Sequence, residues 1–413
     1  MVLMSESTKN SNVPNGTLMK GAPPLPQDQV TLANWREPGF ARWSFSHMRE
    51  LLPTSPMTAS SSTFELSEAR QDLGSLGFAG ADGTDMRLDA FLRHSQTDCF
   101  AIMQNGKLVY DWFDGFGAPD RPHIVFSVSK SLTALVAGVL VHQGLLDVGR
   151  TISAYVPEVA GSAYGQATLQ QLLDMTVASG FVENYEDVTG VFMAYRRASA
   201  WNPVEEGNTT DGLRAFLSKM PAAPAGQKHG EVHHYCSPHT DMLDWVIERV
   251  SGMSLAALFS QLIMQPCRTR HDAYITLDTF GAPRAAGGYC VAVHDLLLIA
   301  EMTRCEGATG GQQIVPASWI NDFRNHAERD AWQRQNRDGG PRLFPHGTYR
   351  AKWYKPGFEE DEYCAIGIHG QWIWVNPKRQ TVIVRMASNG TAIDTETDRD
   401  LLCALQAVAR AVG

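Results

Sequence analysis

Between Ser127 and Gly144 the chain reads Ser-Val-Ser-Lys-Ser-Leu-Thr-Ala-Leu-Val-Ala-Gly-Val-Leu-Val-His-Gln-Gly, a predicted helix with almost no polar face. A helix that is apolar all round is stable only when it is buried all round, so the fold has to wrap other elements about it. A chain of 413 residues is long enough to do that and too long for one small core, which favours two lobes with a cleft between them. The mixture of 44% hydrophobic and 19% charged residues is that of an ordinary globular protein. The greasiest part of the run, Leu132 to Val141, is too short to span a bilayer. The polar stretch from Met1 through Thr8 to Lys20 lacks the apolar centre and cleavage site of a secretory signal. We therefore expect a cytoplasmic protein with no membrane partner. Thirty-five Lys and Arg against 44 Asp and Glu give a formal charge of −9, without the basic stripe that a nucleic-acid partner requires. The seven cysteines, from Cys99 to Cys403, are scattered and odd in number, and read as reduced thiols rather than a disulfide framework.

Residues 1–27 are rich in Ser, Asn, Pro and Gly without a period and are expected to form a flexible N-terminal arm. Two β-rich runs, Cys99–Gln104 and Lys107–Phe113, flank Asn105-Gly106, a dipeptide that tolerates the positive φ angles of a tight hairpin. Near the other end Gln371–Val375 and Thr381–Met386 flank the turn Asn376-Pro-Lys-Arg-Gln380. Helical patterns occupy Asp241–Val250, closed by Ser251-Gly252, and also Val293–Glu306, Trp319–Asn325 and Thr397–Val412. The expected class is α/β in the α+β sense. An antiparallel sheet flanked by helices is built from 28–125 and 270–413, and a mainly helical domain, 126–269, is inserted into it.

The chemistry concentrates where the apolar helix begins. Ser127-Val-Ser-Lys130 places a hydroxyl and an amine on one helical face, three residues apart. A serine hydroxyl is a weak nucleophile until a neighbouring base takes its proton, and a lysine can serve if burial lowers its pKa. The helix start also offers backbone amides with no intrahelical acceptor, suited to an oxyanion. Tyr235-Cys-Ser237, the single Tyr-x-Ser or Tyr-x-Asn of the chain, precedes the helix at Asp241 and could shuttle a proton. Gly367-Ile-His-Gly370 stands just before the strand at Gln371, where glycines admit a substrate and a free amide can complete an oxyanion hole. Lys355-Pro-Gly357 competes for that place, but Pro356 has no amide to donate.

The order Ser-x-x-Lys, Tyr-x-Ser and glycine-rich strand edge resembles class C β-lactamases, penicillin-binding proteins and their esterase relatives. The resemblance extends from about Asn34 to the C-terminus. Trp35-Arg-Glu-Pro38, Arg42-Trp43, Phe126-Ser-Val-Ser-Lys-Ser131, Tyr155-Val-Pro-Glu-Val-Ala-Gly161, Leu173-Asp-Met175, Trp245-Val-Ile-Glu-Arg-Val250 and Gly367-Ile-His-Gly-Gln371 look like the nylon-oligomer hydrolases and their carboxylesterase cousins. The resemblance implies a β-lactamase/transpeptidase-like fold and a Ser127 acyl-enzyme formed from a small ester or amide. Lys130 would be the base and Tyr235 the proton shuttle, with no metal or cofactor. It implies oxyanion donors at the Ser127 and Ile368 amides, and a substrate site including Tyr185, Ser237, His369 and Gly370. Tyr185 stands where the nylon-oligomer enzymes carry a tyrosine that assists an amide leaving group. Arg196 and Ala286 stand where those enzymes carry an aspartate and a polar residue. A cation in place of an acid disfavours an ammonium-bearing amide, so uncharged or anionic esters are expected.

Other readings of the chain are open to the same scrutiny. His233, His234, Cys236 and His239 could ligate a metal, but neighbours in an extended segment point to opposite sides, so no metal is expected. The chain lacks the Gly-x-Ser-x-Gly elbow of α/β-hydrolases. A β-lactam-hydrolysing enzyme and a non-catalytic penicillin-binding-like scaffold or sensor stay as alternatives, and monomer and homodimer are both open.

Overall fold

The computed structural model describes residues 16–413, apart from 64–65, 188, 206, 208 and 338–342. Five of its helices carry the argument: α1 (Val128–His142), α2 (Val191–Ala198), α3 (Pro238–Ser251), α4 (Val293–Arg304) and α5 (Thr395–Val412). The strands of the main sheet are β1 (Thr97–Gln104), β2 (Lys107–Phe113), β3 (Thr348–Arg350), β4 (Trp353–Lys355), β5 (Tyr363–Gly367), β6 (Gln371–Asn376) and β7 (Thr381–Ala387). They form one antiparallel sheet in the order β3-β4-β5-β6-β7-β1-β2. The early hairpin β1–β2 therefore lies beside the late strand β7, with Ile102 opposite Ile383. Asn105 and Gly106 both take positive φ, 50° and 74°, as their tight turn demands.

Alternation along β7 shows why its sequence is apolar on both faces, Arg385 being the buried exception. Val382, Val384 and Met386 face one core with Ala101, Met103 and α4, while Ile383 faces the other with Phe100, Ile102 and α5. Trp372 and Trp374 both belong to the second core.

The apolar helix α1 is buried as its composition requires, against α3 and the inner strand β5. Leu132, Leu135, Val136 and Leu140 are almost fully enclosed, each contributing roughly 1.5–3 kcal/mol by transfer from water. Gly138 is small because the Trp319 indole lies on the helix there: a Cβ would come within 2.6 Å of it.

A second, four-stranded sheet pairs Thr54–Met57, Ala273–Thr276, Tyr289–Val291 and His123–Ile124 in that order. Its strands are two to four residues long, too short to leave a periodic signal, and the last feeds directly into α1. Between α1 and Met264 every named element is helical, and strands resume at Ala273.

The stretch expected to be a loose arm is not loose throughout. Leu18 is buried in a cluster with Trp35 and Phe45, the Met19 amide donates to the Asp28 carbonyl at 2.9 Å, and Pro26–Asp28 forms a short 3-10 turn. Residues 1–15 lie outside the described part. No single described helix is long and apolar enough to cross a membrane.

Candidate active site

Ser127 is delivered by a tight, anchored turn. The Val125 amide donates to the Tyr289 carbonyl at 2.9 Å, and Phe126 then takes a positive φ of 42°, held there by aromatic packing against Trp35 and Phe45. Ser127 occupies the N-cap position of α1, yet its side chain makes no cap bond. It faces Lys130 one turn on. Lys130 Nζ lies 2.7 Å from Ser127 Oγ and 2.7 Å from the Ala286 carbonyl. Only 1% of the lysine is exposed, and burial pushes its pKa down to about 8, with Arg284 acting in the same direction and Glu183 and Asp241 opposing. A free amine so placed can donate to the carbonyl and accept a proton from the serine.

The opposite wall is the end of β5. A Cβ on Gly367 would lie 2.6 Å from the Val125 carbonyl and 3.0 Å from the Ser127 nitrogen, so only glycine lets this strand lie against the nucleophile. Among the described residues neither the Ser127 nor the Ile368 amide has a hydrogen-bond acceptor. Two such donors beside one hydroxyl can hold an oxyanion. The turn into β6 passes through His369 and Gly370, both with positive φ, and Arg385 fixes the Gly370 carbonyl at 3.1 Å. His369 differs from its expected place at the substrate. It is buried between Phe45 and Phe126, its Nδ1 meets the Asn389 carbonyl at 2.8 Å, and its ring lines neither cavity beside Ser127. Burial lowers its pKa to about 4, so it is a neutral support for the turn. Lys355 is turned away and pairs with Asp361 at 2.7 Å.

Tyr235 ends the segment before α3. Its ring centroid is 5.1 Å from Lys130 Nζ, and it lines the same cleft as Ser127, Tyr354 and Gly370. Burial, first, and neighbouring tyrosines raise its pKa well above the ordinary phenol value, so it stays protonated and can give a proton only as another arrives. Ser237 lines a recess beside Ser127 and is held by Glu183. Its amide and Oγ donate to Glu183 at 2.6 and 2.8 Å, and Tyr185 donates to the same carboxylate at 2.6 Å.

Glu183 thus ties Tyr185 to the start of α3, a part that sequence reasoning assigned to no residue. The available signal was its place two residues before Tyr185. Ala286 enters through its backbone: its carbonyl holds Lys130 while its amide donates to Asp241 at 2.8 Å. Asp241 in turn forms a buried ion pair with Arg284.

Two spaces meet at Ser127. The wide cleft is lined by Tyr235, Tyr354, Ile366 and Gly370 among others. A narrow recess is lined by Arg36, Phe126, Phe192, Arg196, Trp201 and Ala286 among others, and Glu183, Tyr185 and Ile368 border both. Of the candidate metal ligands, His233 and His234 line the wide cleft, while His239 lies apart from it. His233 packs on Trp332 and Tyr349, and His239 Nδ1 meets the Tyr164 hydroxyl at 3.2 Å.

Residues 88–407 match the Beta-lactamase family, and the chain belongs to it. A 6-aminohexanoate-dimer hydrolase of Paenarthrobacter ureafaciens is 29% identical over 87% of this chain and 88% of its own length. Esterase EstB of Burkholderia gladioli is 26% identical over 43% of this chain and 46% of its own. Among solved structures, a Bacillus anthracis protein provisionally named a 6-aminohexanoate-dimer hydrolase superposes with a TM-score of 0.84 at 24% identity, covering 93% of this chain and 97% of that one. A family VIII carboxylesterase superposes at 0.56 and 17% identity, covering 77% and 96%. The fold is accordingly β-lactamase/transpeptidase-like, and the chain is a hydrolase of this family.

Proposed function

We propose that the protein is a serine esterase that forms a covalent acyl-enzyme on Ser127. The observation that carries the reading is the 2.7 Å contact between Ser127 Oγ and a buried Lys130 whose pKa is depressed to about 8, beside two unpaired amides. In the first half-reaction Lys130 takes the Ser127 proton as Oγ bonds to the substrate carbonyl carbon. The Ser127 and Ile368 amides hold the resulting oxyanion. Collapse of the tetrahedral intermediate breaks the bond to the leaving group, which receives a proton from Tyr235, and Lys130 returns one to the phenolate. Water then attacks the acyl-enzyme along the reverse course and frees Ser127.

Esters are the primary substrates in this reading because Arg196 and Ala286 replace residues associated with an ammonium-bearing amide. Linear amides are a second class, favoured by Tyr185 at the border of both cavities. Turnover of a short p-nitrophenyl ester, followed beside intact-protein mass spectrometry, tests the proposal. Ser127→Ala should abolish turnover and the acyl adduct while the protein stays folded, its side chain making no helix cap to lose. A folded, active Ser127→Ala protein would refute the assignment, and an adduct that never turns over would favour a sensor or scaffold.

A further inference from the structure

The recess beside Ser127 sets three arginines against two carboxylates, Glu183 and the Asp241 partner of Arg284, and so keeps one positive charge in excess, with Glu183 and Asp187 acting on Arg196 through space. Of its three arginines, Arg284 is neutralised by its buried ion pair with Asp241. Arg36 and Arg196 have no carboxylate within ion-pair distance among the described residues. Arg36 lies over the Trp35 ring at 4.5 Å and donates to the neutral acceptors Asn202 Oδ1 and, at 3.5 Å, the Trp201 carbonyl. Arg196 lies over the Phe192 ring at 4.4 Å and donates to the Tyr185 carbonyl at 3.3 Å. The acid in the recess, Glu183, is already engaged by three donors, from the Ser237 amide, the Ser237 hydroxyl and the Tyr185 hydroxyl. Burial, with Arg196 and Arg284 nearby, pulls the Arg36 pKa down to about 9, so these cations feel one another across the recess. An anion seated there would relieve that repulsion and meet planar donors suited to a carboxylate.

We propose that Arg36 and Arg196 form a carboxylate-binding subsite for the acyl portion of the substrate, so that the preferred substrates are half-esters of dicarboxylic acids. The side of the scissile bond follows from where Tyr235 stands. The proton donor to the leaving group lines the wide cleft and not the recess, so the leaving group departs through the cleft and the acyl chain occupies the recess. The recess is tight, about 20 Å³ of free space, so an acyl chain with a distal acid enters it only as the Arg36 and Arg196 side chains draw back to meet the acid, with Phe126, Phe192 and Trp201 then walling the methylene spacer. This inference rests on Ser127 being the acylated nucleophile, and it names the acyl group that nucleophile accepts.

The test compares three p-nitrophenyl esters of equal acyl length: the adipate half-ester, its methyl-capped diester and the 6-aminohexanoate ester. With the wild-type enzyme the half-ester should have a KM about tenfold below that of the capped diester, and the ammonium ester the highest KM, a span expected of two charge-assisted contacts. Replacing both residues, Arg36→Gln with Arg196→Gln, should bring the half-ester and the capped diester to similar KM values. Arg196→Glu should improve the ammonium ester relative to the half-ester. Equal KM values for the half-ester and its capped form in the wild type, or a preference that survives the double replacement, would overturn the subsite. A measurement free of variants guards against misfolding: adipate should inhibit turnover of the neutral ester competitively and a diamine of equal length should not, and the reverse order would overturn the proposal. Loss of all ester turnover, or turnover that survives Ser127→Ala, would strike the serine mechanism instead.

Discussion

The Ser127–Lys130 pair at the start of α1 and the recess that opens onto it are assembled in different ways. Ser127 and Lys130 are three residues apart, joined by one helical turn and enclosed by the most apolar helix of the chain. The recess draws Arg36 from near the N-terminus, Glu183 and Tyr185 from a loop, Arg196 from α2, and Ala286 from the link before the second sheet's third strand. The first arrangement leaves little room for variation, since a shift of either residue breaks the 2.7 Å contact. The second is a set of groups on separate segments, joined to one another by contacts such as Glu183 to the Ser237 amide and Arg196 to the Tyr185 carbonyl. The Ser127–Lys130 contact is thus fixed by local geometry and a dry environment, while the recess is spread over separate segments.

Lys130→Met strikes the local half and should have the largest effect, a fall in kcat on an activated ester of about 100- to 10,000-fold, the range for losing a general base. The same residue sets the pH dependence. Its pKa in the folded protein is lowered to about 8, so activity should be low where the amine carries its proton and rise through that pH as the free amine appears. A stopped-assay pH profile under conditions where chemistry limits the rate checks this, and a flat acid limb would remove Lys130 as base.

A smaller loss, about tenfold or more in kcat, is expected from Gly367→Ala. The new Cβ would press on the Val125 carbonyl and the Ser127 nitrogen at 2.6 and 3.0 Å, displacing the oxyanion donors, and misplacement on this scale is costly in rate. Comparing kcat with thermal stability separates the site from the fold: a variant that melts as wild type yet loses rate supports the placement, while unchanged kcat breaks it.

Glu183→Gln tests the border between the two regions and should have the mildest effect, within severalfold in rate near pH 8 because it touches no reacting atom. Its charge favours the protonated form of Lys130, so its removal should move the acid limb of the profile to lower pH. A limb that moves upward, or not at all, would show that the carboxylate and the amine are not coupled.

Much of the framework could be read in the chain. Asn105-Gly106 marked its hairpin because few dipeptides accept two successive positive φ angles, and α1 announced its burial because no polar face was left for water. The second sheet escaped notice, its strands being too short for alternation to register. Leu18 escaped too, since a single apolar residue in a polar stretch does not reveal that Trp35 and Phe45 will cover it.

For the site the division is the same. The sequence by itself determined that the Ser127 hydroxyl and the Lys130 amine meet, because a spacing of three on a helix is contact by geometry, and it set Tyr235 just before a helix whose limits are marked by composition. The tertiary structure alone decided that Lys130 is held by a carbonyl 156 positions away, that Glu183 grips Ser237 across 54, and that Gly367 must have no side chain. Those contacts join segments whose separation along the chain follows no period, and only tertiary packing, of the sheet against α1 and of the loops around α1 and α3, brings them within bonding distance.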